Sequence, residues 1–125
     1  MLSIILDLEL EGLPPTVNNM YRSTRGGQRY KTKDCRYWQE DTVRLMKQHY
    51  TGQPNTSRLE LVIEFKVKDK RRWDIDNRVK ALQDCLISAN ILKDDSQIDS
   101  LHVTRSLSNT AGTHLCLSEY TAKST

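Results

Sequence analysis

The stretch that decides the fold runs from residue 58 to residue 80 and reads RLELVIEFKVKDKRRWDIDNRVK. Its first half alternates in hydropathy, and the residues on the apolar side are Leu59, Leu61, Ile63, Phe65 and Val67. A period of two is the spacing of side chains along a strand with one buried face. We therefore expect a strand from about Arg58 to Lys68, followed at once by charged residues that include Asp74 and Asp76.

Two amphipathic helices are predicted, one on each side of this strand in the sequence. Before the strand, apolar residues recur at intervals of three and four from about Asp34 to Tyr50, opposite a charged face. After the strand, a similar stripe runs from about Asn77 to Ala89, with Asp76 placed to cap the first turn. Each helix can then pack its apolar face on the sheet.

The remaining strands are expected at the two ends of the chain. Alternation from Ile4 to Glu11 predicts the first strand, and the segments 98–107 and 113–120 are predicted as two strands of an antiparallel hairpin. The predicted fold is therefore a single α+β domain over residues 1–125, in which β-α-β-α-β-β order gives a mixed sheet with two helices packed on it.

Positive charge is concentrated in two segments, although the formal net charge of the chain is only +3. From Met20 to Trp38 there are six basic residues and one acidic residue, in a region that Gly26-Gly27 and the preceding prolines mark as a long, irregular and mobile loop. From Lys66 to Arg72 there are five basic residues and one acidic residue. Either segment alone could be a solvated face, but together they fit an anionic partner such as nucleic acid.

Composition excludes several other classes of protein. Cys35, Cys85 and Cys116 have no paired spacing, so neither a disulfide framework nor a zinc site is predicted. The N-terminus alternates and forms no apolar signal segment, so we expect no membrane association and a cytoplasmic location. The sequence has no glycine-rich phosphate loop, so no organic cofactor is expected.

The acidic residues around the second helix predict a metal-dependent site. Asp74 and Asp76 are one residue apart and converge on one point, where their oxygens suit Mg²⁺; Asp95 is the expected third ligand, with Asp94 as the alternative. Lys80 lies one helical turn after Asp76, so its ammonium can sit beside the metal. These are the parts needed to hydrolyse a phosphodiester.

Simpler interpretations of the same residues remain open. Asp76 could serve only as a helix cap, Lys80 could form an ordinary surface pair with Asp84, and Asp94-Asp95 could be a turn. A calcium-binding EF-hand loop is excluded, because its sixth and twelfth positions from Asp74 would need glycine and glutamate.

Three segments together resemble the RusA family of Holliday junction resolvases. They are the Pro14–Tyr21 segment PPTVNNMY, the Lys70–Lys80 segment KRRWDIDNRVK and the Leu92–Asp95 segment LKDD. The resemblance implies a homodimeric, Mg²⁺-dependent endonuclease that binds four-way DNA junctions and cuts two strands symmetrically. By position it implies that Asp74, Asp76 and Asp95 bind metal and that Lys80 is catalytic.

The expected function is the resolution of DNA junctions in recombination and repair. Two incisions require two sites, and one chain carries one acidic cluster, so a homodimer is expected on that ground as well. The alternatives are a nuclease for flaps or other branched DNA and a DNA-binding module that does not cleave. The residues expected to contact DNA are Asn18, Asn19, Tyr21, Arg25, Lys70, Arg71, Arg72 and Asn77.

Overall fold

The alternating stretch forms the central part of a four-stranded sheet. The computed structural model describes residues 3–69 and 75–121. In chain order the elements are β1 (Ile4–Glu11), α1 (Val17–Met20), β2 (Tyr21–Ser23), β3 (Arg29–Lys31), α2 (Lys33–His49), β4 (Leu59–Val67), a first 3-10 helix (Ile75–Arg78), α3 (Val79–Ser88), a second 3-10 helix (Asp95–Gln97), β5 (Ile98–Leu107) and β6 (Gly112–Glu119). The predicted α+β class is confirmed.

The strand order in the main sheet is β1-β6-β4-β5. β4 pairs antiparallel with β6 and parallel with β5, and β6 also pairs antiparallel with β1. The predicted hairpin between the last two strands is therefore wrong, because β4 lies between them. Alternation identifies the buried face of a strand but not its neighbour, and β4, the most apolar strand, takes the central position.

The core lies between this sheet and the two long helices. On β4, Leu59, Leu61, Ile63 and Phe65 are all 0% exposed, and they pack with apolar residues of α2, α3, β1 and β6. Complete burial of a side chain of this size is worth roughly 1.5–3 kcal/mol, so this row contributes much of the stability of the sheet. Parallel β4 and β5 are connected by α3, which crosses the buried face.

The second helical segment begins differently from the prediction. Ile75–Arg78 forms a 3-10 turn, and α3 follows from Val79 with Arg78 at its N-cap and no side-chain capping bond. Asp76 is therefore inside a helical turn and is not the cap of α3. By contrast, α2 has a conventional cap, since the Thr32 hydroxyl accepts a hydrogen bond from Cys35 N at 3.3 Å.

The predicted irregular loop before α2 contains regular structure. α1 leads into a two-stranded antiparallel ribbon of β2 and β3, whose turn includes Gly27 at a φ of +84°. The base of the ribbon is fixed by Met20, which is buried in a small cluster with Cys35 and Ala81. Because Ala81 belongs to α3, the ribbon is anchored beside the first turn of that helix. Strands of three residues are too short to show a period in sequence.

The face of the sheet away from the helices is polar and rich in acids. Asp7 lies 2.6 Å from His114, Glu60 lies 3.2 Å from His102, and Lys66 Nζ lies 3.2 Å from Glu9. Lys66 was expected to belong to the basic run, but its side chain is paired across this face.

The two cysteines near the helices are structural. Cys35 and Cys85 are free thiols buried in the core, and burial raises the pKa of Cys85 to about 12. A thiol with that pKa is not a nucleophile at neutral pH.

No helix in the described ranges has the length and apolar character required to cross a membrane.

Candidate active site

The site is centred on Lys80, in the first turn of α3. Its ammonium nitrogen lies 3.1 Å from Asp84 Oδ1 and 3.7 Å from Asp95 Oδ2. The Asp84 contact is the i,i+4 pair that helical spacing dictates, whereas Asp95 comes from the turn before β5. The side chains of Lys80, Asp84 and Asp95 are 50%, 20% and 37% exposed, so the cluster is open to solvent on one side.

Asp94 and Asp95 are neighbours with different roles in the structure. Asp94 is the N-cap of the second 3-10 helix, where Oδ1 accepts a hydrogen bond from Ser96 N at 3.3 Å. That backbone bond is the largest of several that lower the pKa of Asp94. Asp95 has its carboxylate beside Lys80 instead. The geometry therefore favours Asp95 over Asp94 as the functional carboxylate.

Gln97 and Arg58 hold the turn that carries Asp95, and sequence reasoning missed both. The Gln97 carboxamide accepts hydrogen bonds from Lys93 N and Asp94 N, completing a capping box with Asp94. Arg58 donates to Ser96 O at 2.7 Å and to both carboxylate oxygens of Asp99. The spacing Asp94-x-x-Gln97 is the sequence signal that could have identified the capping box.

Asp76 lies in the first 3-10 helix, four positions before Lys80, and it is exposed. Asn77 follows it and is half-buried. The next residue, Arg78, donates to Pro14 O, and burial lowers the pKa of its guanidinium. This contact ties the segment after β1 to the helical turn that carries Asp76. Asp74, Lys70, Arg71 and Arg72 lie outside the described residues.

The predicted metal site is only partly described. Within residues 3–69 and 75–121, no three histidine, cysteine, aspartate or glutamate side chains lie close enough together to hold a metal ion. Asp74, the first of the three predicted ligands, is not among these residues. The donors that are described fit a hard cation in kind, because Asp76 is exposed and Asp95 partly exposed, and carboxylate oxygens are what Mg²⁺ prefers. The three-carboxylate set stays a prediction.

The predicted DNA-contacting residues near the N-terminus fall on α1 and the ribbon. Asn18 and Asn19 are in α1 and Tyr21 begins β2, and the structure describes their backbone. Arg25 is exposed in the turn between β2 and β3. Lys31 Nζ at the base of the ribbon donates to Gln39 on α2 at 2.5 Å. This bond ties the base of the ribbon to α2, and the packing of Met20 on Ala81 places the ribbon next to α3, on which Lys80 lies.

Comparison with known proteins identifies the family of this chain. The model of the family Endodeoxyribonuclease RusA matches residues 11–117. The crossover junction endodeoxyribonuclease RusA of Enterobacteria phage HK97 is 35% identical over 92 residues, which are 74% of this chain and 76% of the phage protein. The proteins of that name from Aquifex aeolicus and Escherichia coli K12 are 24% identical over 102 residues, covering 82% of this chain and 81% of the relative, and 28% identical over 92 residues, covering 74% and 76%. This chain belongs to the RusA endodeoxyribonuclease family.

Proposed function

We propose that this protein is a Mg²⁺-dependent endodeoxyribonuclease that resolves four-way DNA junctions by paired, symmetric incisions in recombination and repair. The observation that carries the proposal is the position of the Lys80 ammonium, 3.7 Å from Asp95 and 3.1 Å from Asp84. A cation held beside two carboxylates in a site that is open to solvent is suited to a substrate that develops negative charge in the transition state.

Asp76 and Asp95, together with Asp74, are the residues that would hold the metal. Bound there, Mg²⁺ would supply Lewis-acid polarisation of the phosphate and a lowered pKa for a coordinated water. The carboxylates also exclude other anions from the site, so a phosphate can approach only where positive charge compensates them. Asp94 is occupied by the backbone of its own turn and takes no part.

Lys80 would provide the positive charge that the chain itself contributes at the reacting phosphate. Asp84, on the same helix, holds the ammonium and limits the positions that the flexible lysine side chain can adopt. Holding the charge in place before the reaction avoids the cost of reorganising it in the transition state.

The distribution of charge is consistent with DNA approaching from the helix side. The basic ribbon is anchored next to α3, whereas the opposite face of the sheet carries Asp7, Glu9, Glu60 and Glu64. Repulsion from these acids disfavours DNA on that face. Binding through lysine and arginine to phosphates gives little sequence preference and weakens steeply with salt.

Four-way junctions are the proposed substrate because the relatives are named crossover junction endodeoxyribonucleases. Resolving a junction requires cuts in two strands, which is why we propose a homodimer with one site in each chain. We place the reaction in the cytoplasm, where free thiols such as Cys35 and Cys85 stay reduced. Sedimentation equilibrium at micromolar protein should give twice the chain mass.

The decisive test compares cleavage of a labelled four-way junction with cleavage of a linear duplex that has the sequence of the junction arms. Reactions contain Mg²⁺ or EDTA and use the wild type, an Asp76→Asn variant and the control Asp41→Asn, which changes an exposed acid on α2. We expect paired cuts at symmetric positions in the Mg²⁺ reactions and none in EDTA. The wild type and Asp41→Asn should cut, and Asp76→Asn should not.

Other outcomes separate the alternatives. Faster cutting of a flap than of the junction would assign the protein to other branched DNA, and tight binding without any cleavage would leave a DNA-binding module. Cleavage in EDTA, or an active Asp76→Asn variant, would contradict the mechanism.

A further inference from the structure

The side chain of Gln97 is buried between the turn that carries Asp95 and a second segment, residues 55–57. Its residue is 8% exposed, and its side chain makes four hydrogen bonds, all to backbone groups. Oε1 accepts from Lys93 N at 2.8 Å and from Asp94 N at 3.1 Å. Nε2 donates to Asn55 O at 2.8 Å and to Ser57 O at 3.1 Å. A carboxamide has two donors and two acceptor lone pairs, so its bonding capacity is filled.

The second segment, residues 55–57, is itself bonded to residues 91–92, which come just before the turn. Asn55 N donates to Ile91 O at 2.8 Å, and Asn55 forms an isolated parallel bridge with Leu92. The Asn55 side chain in turn accepts from Ser57 N at 2.7 Å. Gln97 thus joins two segments that are already held together.

From this arrangement we infer that Gln97 is the positioning residue for Asp95, holding its carboxylate at the distance from Lys80 at which the metal site is assembled. The inference rests on the proposed function. Gln97 makes no contact with Lys80 or Asp95 side chains among the hydrogen bonds described, so it acts through the backbone of residues 93–97. Without it, four backbone groups lose a partner and the turn can rearrange, which moves the Asp95 side chain.

A purely structural role would lower stability without changing metal affinity, so the test measures both. Gln97→Met keeps the length of the side chain and removes all four bonds. Gln97→Asn keeps the carboxamide but is one methylene shorter, so it cannot reach both segments, and it serves if Gln97→Met does not fold. Ile63→Val and Leu117→Ala, at fully buried positions of β4 and β6, provide controls that lose stability by packing alone.

Mn²⁺ binding to the free protein is measured by electron paramagnetic resonance, well below each variant's Tm. We expect about tenfold weaker Mn²⁺ binding for Gln97→Met, the usual size for a residue that orients a metal ligand, and a smaller loss for Gln97→Asn. The Mg²⁺ concentration for half-maximal junction cleavage should rise in parallel. The two packing controls should lower Tm and leave both metal measurements within twofold of the wild type.

Metal affinity of both Gln97 variants within twofold of the wild type would overturn the inference while leaving the proposed function in place. The same applies if the packing controls weaken Mn²⁺ binding as much as Gln97→Met does. A wild-type protein that binds no Mn²⁺ and cuts no DNA would overturn the proposed function, and the inference with it.

Discussion

Lys80 Nζ lies 3.7 Å from Oδ2 of Asp95, so α3 and the turn before β5 meet at a pair of opposite charges. Both residues belong to the connection between the parallel strands β4 and β5, Lys80 at the start of α3 and Asp95 just before β5. Lys80 also contacts Asp84 on its own helix. A lysine shared between two carboxylates, one local and one distant, is the arrangement from which the following predictions derive.

Removing the ammonium should slow cleavage without preventing DNA binding. For Lys80→Ala we expect a loss of roughly a hundredfold in the single-turnover rate, since one preorganised charge is worth ~3 kcal/mol in the transition state. Junction affinity, measured by gel shift in Ca²⁺, should change less than threefold. Lys47→Ala, an exposed lysine in the last turn of α2, is the control and should cut at the wild-type rate. Equal rates for both variants would exclude Lys80 from the reaction.

Asp84 should tune the position of Lys80 and should not be essential. Asp84→Asn removes one of the two carboxylates beside the ammonium, and we expect a rate about five- to tenfold below wild type, a smaller loss than for Lys80→Ala. Stability should change by about 1 kcal/mol or less, because the pair is partly solvated. A loss as large as that of Lys80→Ala would instead give Asp84 a direct role at the substrate or metal.

Replacement by asparagine should leave cleavage unchanged at Asp94 and reduce it strongly at Asp95. Asparagine is as good an N-cap as aspartate, so Asp94→Asn should keep both the turn and the activity. Asp95→Asn weakens the proposed metal site and should reduce cleavage by a hundredfold or more. Single-turnover cleavage and thermal melts of the two variants make the comparison. An inactive but folded Asp94→Asn variant would reverse the assignment.

Arg25 should contribute to DNA binding through phosphates. Arg25→Ala should weaken junction binding uniformly across sequences and reduce the slope of log affinity against log salt by about one. Lys66→Ala is the matched control, because Lys66 is paired with Glu9 on the acidic face. It should leave the salt slope unchanged. Equal effects of the two substitutions would mean that DNA also approaches the open face of the sheet.

The stability that the Arg58–Asp99 pair contributes should be lost in acid. Hydrogen bonds from Arg58 hold the pKa of Asp99 below its usual value of about 4. A carboxyl group with a depressed pKa adds stability that is present above its unfolded-state pKa and is lost as the pH falls through the folded-state value. The urea concentration at the unfolding midpoint should therefore decrease as the pH is lowered below about 4, and it should decrease less steeply for Asp99→Asn. Parallel pH profiles for wild type and variant would contradict this role.

Sequence patterns were sufficient for the elements with a long, regular period. β1 and β4 alternate over eight or nine residues, and α2 shows a clear helical stripe, so all three were predicted within a few positions. The β2–β3 ribbon was missed because three residues cannot show a period. The place of β5 was also missed, because the order of strands depends on tertiary packing, and no local pattern contains that information.

The candidate site was predictable where it depends on local geometry. The contact of Lys80 with Asp84 follows from helical periodicity, but the approach of Asp95 depends on how the chain returns to the sheet. The distinction between Asp94 and Asp95 needed the structure, since both are acids in one turn and only the cap geometry separates them. Gln97 carried a recognisable capping-box spacing, but its bonds to Asn55 and Ser57 are tertiary.

The most direct test of the central claim is a double-mutant cycle between Lys80 and Asp95, measured as single-turnover junction cleavage in Mg²⁺. If the two residues belong to one catalytic unit, combining Lys80→Ala with Asp95→Asn should reduce the rate scarcely further than the more severe single change. Losses that multiply in the double variant would show that the two residues act independently, and would contradict the account.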